Sequence, residues 1–527
     1  MNLYGNNLFF ALLVLLLFGL QAVLIKLHPG ETEITERLIS ARVLDIAFGI
    51  SISFAVASLF HLYPGNARTP IQDSSSFLYI GKRMTEGKLP YRDMFDHKGP
   101  LLYLIQYVGL QMTPGHYTGV WLLEVLNAFF TASILKKLAD LVTDHDIESH
   151  LSVLAVLGVC GWMVWQGGNF TEEYALPWIS LAAYESFHFF RTGTYRNYDV
   201  LLLGSGFAVI LLLRANMIAA WAVLMPIILV LLLKARRSAE IWKCTLFFVS
   251  GTVVVILPVV LWAAKEGFLL ELWQDYILFN FQYTDGATGG MWERLSLTIR
   301  FMIVLWPATL AVLTSLFLSP KNRLLWYNLV FYLGSASTAS MSGRLYYHYA
   351  IVMLPAAVLA FAICFSFSGR LFQREEKKRN PETALSLLVF CLMLLGTAGY
   401  RQVFSHQEEV DPITAFLQKN TQEQDDVLVI GNSSWYYLLA DRKTNNRFFY
   451  QLPPMEISEE LRNEFYNELR QKPPYCVVIP GYWEERAWMN EALGDIRAYL
   501  EAGADIEYSH AIFDEFEIYQ TVGGNHG

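Results

Sequence analysis

Repeated apolar runs constrain the fold of this chain more than any other feature. A helix needs about 20 apolar residues to cross the hydrocarbon core of a bilayer. The 527 residues are 54% hydrophobic, with a mean hydropathy of +0.32, which is unusual for a soluble protein. We therefore predict a polytopic α-helical membrane protein with about twelve spans, at 8–27, 43–62, 117–138, 150–168, 174–190, 198–213, 216–234, 241–262, 299–318, 324–341, 350–368 and 383–400.

The basic residues predict how the spans are oriented, because Lys and Arg are enriched in cytoplasmic connections. With the N-terminus outside, most basic clusters lie inside, for example Lys136 and Lys137. Counting 100–112 as a span would invert this pattern, so we predict an interfacial or re-entrant helix there. Span 8–27 lacks a signal-peptide cleavage site and is predicted to be retained. The net charge of −9 argues against a nucleic-acid partner.

Residues 401–527 are more polar than the rest of the chain. They alternate strand-like runs at 426–431, 446–451, 475–480 and near 505–519 with helix-like runs at 456–471 and 484–500. We predict a transmembrane domain at 1–400, with a first large outer loop at 63–116, and a small extracytoplasmic α/β domain at 401–527.

The outer segment 63–99 violates the positive-inside pattern. It contains six basic residues between two apolar runs, namely Arg68, Lys82, Arg83, Lys88, Arg92 and Lys98. Cations on the outer side that do not determine orientation are available to bind an anion, and we expect that anion to be a phosphate.

Asp73 begins a predicted amphipathic helix in this segment. Phe77, Ile80 and Met84 share one helical face, which favours a helix on the membrane surface. Asp73 can be the N-cap of that helix, or a general base that takes a proton from an acceptor hydroxyl. The two roles are compatible, because capping also holds the carboxylate in place.

A second group of candidates precedes the predicted helix at 100–112. Lys98 can extend to bulk lipid phosphates or hold the phosphate of a substrate. Asp96 and His97 can bind a sugar hydroxyl or a divalent cation, although two adjacent ligands do not define a metal site. Asp93 is a further candidate substrate contact.

Other candidates are at predicted outer membrane boundaries. Glu172 and Glu173 can be helix-dipole partners or can bind sugar hydroxyls or a metal. Tyr347 and His348 lie at a boundary where tyrosines often form an interfacial belt. We expect Arg344 to lie near a phosphate. Arg214 can contribute to the same site, or its side chain can extend to the lipid headgroups instead.

The motifs together resemble a known family. Asp73, the run GKLPYRDMFDHKGP at 87–100, TEEY at 171–174 and SGRLYYHY at 342–349 are similar to motifs of bacterial GT-C glycosyltransferases, related to protein O-mannosyltransferases and the lipid A aminoarabinose transferase. The resemblance covers most of the chain. Ser74 differs from the glutamate that follows the aspartate in protein mannosyltransferases, which argues against a protein acceptor.

The resemblance implies a membrane glycosyltransferase of the bacterial cell membrane. It implies inverting transfer of a polyprenyl-phosphate-linked sugar, on the outer face, to a hydroxyl of a glycan, lipid or protein. Asp73 would be the base, Lys98 would contact the lipid phosphate, and Glu172 or Glu173 would be the second-loop carboxylate. Members differ in their metal requirement, so Mg²⁺ or Mn²⁺ remains open. The alternatives are a lipid transporter or flippase, and a membrane scaffold whose tail binds a partner.

Overall fold

The computed structural model describes residues 34–64, 70, 73–143, 146–282, 290–372, 411–451, 454–481, 487–502, 507–513 and 516–522. The predicted spans 8–27 and 383–400 lie outside these residues. The chain divides into two compact units, which are treated separately below. The first comprises Met1–Asn66, Tyr117–Val260 and Ala287–His406, and the second comprises Ala67–His116, Leu261–Gly286 and Gln407–Gly527.

The described part of the first unit is helical. Its interior is formed where the helix Thr118–Ala139 packs against Ile34–Ala57 on one side and Thr171–Thr192 on the other. The remaining helical segments are Asp146–Leu154, Ala155–Cys160, Gly161–Val164, Asn197–Leu213, Ala215–Met217, Ala220–Leu224, Met225–Lys234, Ser238–Glu266, Met291–Val304, Trp306–Leu318, Arg323–Ala339, Ser340–Ser342, Tyr347–Met353 and Leu354–Phe372.

Several of these helices can cross a membrane. Five are long and apolar enough, namely Thr118–Ala139, Asp146–Val164, Ala215–Lys234, Ser238–Glu266 and Tyr347–Ser368. The predicted span 299–318 is interrupted in the structure, because Met291–Val304 and Trp306–Leu318 are long and apolar enough to cross a membrane only as a pair and meet at a bend of 90°. Pro307 explains the break, since proline has no N–H to donate and disfavours the helical conformation in the residue before it.

The second unit contains a four-stranded sheet in the order β1-β2-β4-β3. The strands are β1 (Val427–Val429), β2 (Cys476–Pro480), β3 (Tyr508–Phe513) and β4 (Phe516–Thr521). The pair β1–β2 is parallel, and β4 runs antiparallel to both β2 and β3. The helical segments of this unit are Asp73–Thr85, Pro100–Met112, Leu269–Glu271, Leu272–Leu278, Pro412–Asn420, Trp435–Ala440, Pro454–Ile457, Glu459–Gln471 and Ala487–Ala502.

The four strands and the helices Glu459–Gln471 and Ala487–Ala502 lie near their predicted positions, whereas Pro412–Asn420 and Trp435–Ala440 were not predicted. A further strand was predicted at 446–451. The predicted strand there is wrong, because side chains and a loop take the hydrogen bonds of its backbone. The Arg447 N–H donates to Glu468 Oε2 at 2.7 Å, and the Phe448 N–H donates to Asn446 Oδ1 at 2.8 Å. The Arg447 carbonyl accepts from the Phe95 N–H at 2.8 Å. The predicted domain boundary at residue 400 stays a prediction.

The two helices predicted in the first loop are present, as Asp73–Thr85 and Pro100–Met112. The two helices approach each other closely at Gly81. A Cβ at that position would lie 2.5 Å from the Cβ of Gln106. The pattern predicted an exposed polar face on the first helix, but Ser74, Ser75 and Ser76 are buried. One reason is that the Ser76 hydroxyl lies 2.8 Å from the hydroxyl of Ser434 in the tail.

Candidate functional site

Asp96 is the most enclosed of the loop candidates, with 2% of its surface exposed. Its Oδ1 accepts hydrogen bonds from the His97 N–H at 2.6 Å and from the Tyr450 hydroxyl at 3.0 Å. Burial raises the pKa of Asp96, although the Lys98 charge and these donors act in the opposite direction. The carboxyl is therefore held by neutral donors inside the second unit.

Lys98 is also buried, with 7% of its surface exposed. Its Nζ lies 3.0 Å from His97 Nε2 and 6.0 Å from the centroid of the Phe77 ring. Its carbonyl accepts from the Tyr91 hydroxyl at 2.7 Å, which holds the backbone in place. Among the residues that the structure describes, no carboxylate forms a salt bridge with Nζ. A buried ammonium in this state can bind an anion.

Asp73 lies in the same region of the second unit. It is half-buried and is the first residue of its helix. Phe77, whose ring lies near the Lys98 ammonium, is four residues later, which is about 6 Å along the same helical face. Burial raises the pKa of Tyr450 well above its usual value, and the charges of Asp96 and Asp73 add to that effect. Asp73 and Asp96 therefore both act on Tyr450, and the helix that begins at Asp73 also contributes the Phe77 ring beside Lys98.

Asp93 differs from these residues because its carboxylate is already bonded within the loop. The Leu89 N–H donates to Oδ2 at 2.7 Å, and an Arg92 nitrogen lies 3.1 Å from the same atom. Partial burial would raise the pKa of Asp93, but the hydrogen bonds from Arg92 and Leu89 outweigh it and the pKa is lowered. The Asp93 carboxylate thus has partners within the loop, namely Leu89 and Arg92. Its predicted contact with substrate stays a prediction.

The sequence did not identify the tail residues that hold this loop. Arg447 donates through Nε to the Tyr91 carbonyl at 2.8 Å and forms a buried salt bridge with Asp275. Tyr450 reaches Asp96 across 354 positions of sequence. The local signal for these contacts was the presence of polar residues at 446–451. The prediction of a strand there did not take these residues into account.

In the first unit, Glu172 and Arg214 form an ion pair. Glu172 is 2% exposed, and its Oε1 accepts from Arg214 at 2.7 Å. A second guanidinium nitrogen of Arg214 donates to the Tyr349 hydroxyl at 2.9 Å. The positive charge of Arg214 is therefore already compensated, unlike that of Lys98.

Glu173 is buried next to a tight turn at 166–169. Its Oε2 accepts from the Asn169 N–H at 2.7 Å. All four turn residues have positive φ, and a Cβ on Gly168 would lie 2.7 Å from Oε1 of Glu124. Glycine is thus required at that position. The turn therefore holds the Glu173 carboxylate in place. Of the two adjacent acids, only Glu172 forms a salt bridge with a cation among the described residues.

The candidates at 344–348 have different surroundings from one another. His348 is buried, stacks on Phe170 with 4.1 Å between ring centroids, and has Nδ1 2.8 Å from Gln166 Oε1. Arg344 donates to the Tyr346 hydroxyl at 3.3 Å, and Tyr347 is 46% exposed. Their predicted roles in binding substrate stay predictions.

The residues described contain no cluster of three or more His, Cys, Asp or Glu side chains with metal-binding geometry. Asp96 and His97 are adjacent, but Oδ1 of Asp96 already accepts two hydrogen bonds. The fit of Mg²⁺ or Mn²⁺ to these residues is therefore poor, and the chemistry below is derived without a metal.

Comparison with known proteins gives a family. The sequence model of the competence-induced protein Ccs4 N-terminal domain matches residues 31–404. The chain belongs to this family. A search of curated protein sequences finds no match.

The fold of this family member is similar to that of ArnT from Cupriavidus metallidurans. The crystal structure of ArnT bound to undecaprenyl phosphate matches with a TM-score of 0.59 and 13% identity, covering 91% of this chain and 98% of ArnT. The apo structure gives 0.58 and 12%, with coverage of 92% and 98%. The chain is thus a multi-pass membrane protein with a fold similar to that of ArnT.

Proposed function

We propose that this protein is a membrane glycosyltransferase. It moves a sugar from a polyprenyl-phosphate-linked donor to an acceptor hydroxyl, with inversion, on the outer face of the bacterial cell membrane. The observation that carries the proposal is a fold shared over 91% of the chain with a protein whose crystal structure contains undecaprenyl phosphate. Within that fold, Lys98 provides a buried cation with no salt bridge to a described carboxylate.

Lys98 binds the phosphate of the donor. As the bond between the anomeric carbon and the phosphate oxygen breaks, negative charge accumulates on that oxygen. A fixed ammonium beside it stabilises the developing charge, and burial increases this effect because less water screens it. The leaving group is a polyprenyl phosphate, so the reaction needs no nucleotide.

Asp73 is the general base. Its carboxylate takes the proton of the acceptor hydroxyl while the hydroxyl oxygen forms the new bond to the anomeric carbon. A single displacement from the face opposite the phosphate inverts that carbon. Asp73 is the first residue of a buried helix, so its backbone is fixed while its half-buried side chain remains accessible.

The remaining predicted residues have secondary roles in this proposal. Glu172 is a candidate for binding hydroxyls of the sugar or acceptor, although its Oε1 accepts from Arg214 and its Oε2 accepts from the Thr171 hydroxyl at 2.8 Å. Arg344, Tyr347 and His348 remain candidates for binding substrate. The acceptor belongs to a glycan, a lipid or a protein.

The test uses a strain that lacks this gene, with glycans, lipids and envelope proteins compared by mass spectrometry. We expect one glycosylated product to disappear and to return with the wild-type gene. Asp73→Asn should restore less than about 1% of it, because losing a general base costs 10²–10⁴-fold. The matched control is Asp411→Asn, which changes an aspartate that only caps the helix Pro412–Asn420.

Full restoration by Asp73→Asn would contradict the assignment of the base. Vesicles reconstituted with the wild-type protein address the transporter alternative. If the vesicles move labelled polyprenyl phosphate between leaflets while the deletion strain loses no glycosylated product, that combination would contradict the proposal that the protein is a transferase.

A further inference from the structure

We propose that Tyr450 is a positioning residue of the donor site: its hydroxyl holds Asp96 away from Lys98, so that Lys98 remains able to bind phosphate. This proposal rests on the phosphate-binding role of Lys98 proposed above. Tyr450 lies in the tail, so the tail would contribute directly to donor binding.

The first observation is that Asp96 is satisfied by donors that carry no charge. Oδ1 accepts from the Tyr450 hydroxyl at 3.0 Å and from the His97 N–H at 2.6 Å. The Tyr103 hydroxyl also interacts with this carboxyl. A buried carboxylate with several donors does not need an ammonium for compensation.

The second observation is that Lys98 is only two residues from Asp96 and yet forms no salt bridge with it. The two charges attract each other, but the Lys98 Nζ hydrogen bonds to His97 Nε2 at 3.0 Å instead. The hydrogen bonds that Asp96 accepts come from the Tyr450 hydroxyl and the His97 N–H, and the His97 Nδ1 lies 3.4 Å from Oδ1, whereas Lys98 acts on Asp96 only through its charge. These donors therefore decide whether Asp96 or an incoming phosphate is the partner of Lys98.

The third observation is that Tyr450 cannot easily move. The neighbouring Arg447 accepts from the Phe95 N–H and donates to the Tyr91 carbonyl, each at 2.8 Å. Gln451, on the other side, accepts from the Gly431 N–H at 2.6 Å. The tail segment is therefore fixed both to the loop that contains Asp96 and to the end of β1.

Removing the Tyr450 hydroxyl would leave Asp96 with one donor fewer in a buried position. The His97 Nδ1 already lies 3.4 Å from Oδ1 in the wild type. The charged group that acts on Asp96 and is able to replace the lost donor is the Lys98 ammonium. The resulting ion pair would compete with phosphate, so binding would weaken even though Tyr450 need not touch the lipid. Removing the charge of Asp96 would abolish this competition.

The experiment is a double-mutant cycle on the full-length protein in nanodiscs, with undecaprenyl phosphate as the probe. The variants are Tyr450→Phe, Asp96→Asn and their combination. We expect Tyr450→Phe to raise the Kd about tenfold, as for a lost hydrogen bond to a charged group. Asp96→Asn alone should bind at least as tightly as the wild type. In the Asp96→Asn background, Tyr450→Phe should change the Kd less than about twofold.

Tyr508→Phe is the matched control, because it removes a tail hydroxyl that donates to the Pro474 carbonyl at 2.8 Å. It should leave the Kd unchanged. A purely structural role for Tyr450 would weaken binding equally in both Asp96 backgrounds, and that result would overturn the proposal. Binding as tight as that of the wild type by Tyr450→Phe would also overturn the proposal. If Tyr450→Phe does not fold, Asp96→Asn alone provides the test, and weaker binding by that variant would overturn the proposal.

The same experiment separates this proposal from the proposed function. If the wild type binds and Tyr450→Phe binds equally well, only the role of Tyr450 is wrong. If the wild type does not bind undecaprenyl phosphate at all, the donor chemistry is wrong, and the role of Tyr450 with it.

Discussion

The two units each contain a buried cation close to an acid, but the two arrangements differ. In the first unit, Arg214 lies 2.7 Å from Glu172 and the pair is closed. In the second, Asp96 accepts from Tyr450 and from a backbone N–H, and Lys98 has no salt bridge to a described carboxylate. A closed buried pair maintains structure, whereas a buried cation without an acid partner can bind an anion. The comparison therefore distinguishes a cation that has a salt-bridge partner from a cation that has none among the described carboxylates.

The largest effect is expected where the closed pair is broken. Arg214→Met leaves Glu172 buried without its cation, and breaking a buried pair costs about 3–5 kcal/mol of stability. Arg214 and Glu172 are 12% and 2% exposed, so solvent compensates little. Thermal unfolding in detergent should show a large decrease in Tm.

The double variant Glu172→Leu/Arg214→Met is the control, because it removes both charges. It should recover most of the lost stability. An Arg214→Met protein as stable as the wild type would show that this pair is not structural and would remove the contrast with Lys98.

A smaller effect, of opposite kind, is expected at Lys98. Lys98→Met should weaken undecaprenyl phosphate binding about 10–100-fold, the range for one charge-assisted hydrogen bond. It should not lower the Tm, because it leaves no broken ion pair. Lys82→Met is the matched control, since Lys82 forms a salt bridge with the exposed Asp441. Equal loss of binding in both variants would mean that nonspecific charge, not Lys98, attracts the lipid.

The smallest effect is expected at Asp93. Its pKa is lowered from 3.8, so its folded-state interactions add stability above that pH, and this stability is lost as the pH falls through the lower folded value. Asp93→Asn should cost less than about 1 kcal/mol at pH 7, because Asp93 is only partly buried and its partner Arg92 is exposed. The difference in unfolding free energy between mutant and wild type should decrease as the pH falls below 3.8 and disappear below the lower folded pKa of Asp93. A pH-independent difference would contradict an electrostatic cause.

Local patterns predicted most of the helices and strands. Apolar runs at 117–138, 216–234 and 241–262 correspond to Thr118–Ala139, Ala215–Lys234 and Ser238–Glu266. Predictions failed where tertiary contacts replaced a local preference. At 446–451 the aromatic run Phe448–Tyr450 resembles a strand, but Glu468 and Asn446 take the backbone hydrogen bonds.

The candidate site was predicted in part. Asp73, Asp96, His97 and Lys98 were identified because charged residues between apolar runs are costly to retain, and all four lie in the second unit. Tyr450 was missed, because a tyrosine in an apolar run resembles an ordinary core residue. Apart from the family resemblance, the sequence did not show which of Arg214 and Lys98 has an acid partner, since each is a cation near a predicted membrane boundary.

The sequence by itself determined that this is a helical membrane protein, where most helices begin and end, and which loop contains excess charge. These properties depend on hydrophobicity and on neighbours within a few residues. The tertiary structure alone decided which charges are compensated. Arg214 meets its acid across 42 positions and Asp96 meets Tyr450 across 354. Whether a buried cation can bind substrate depends on such distant partners, because in a low-dielectric interior the nearest groups determine its charge balance.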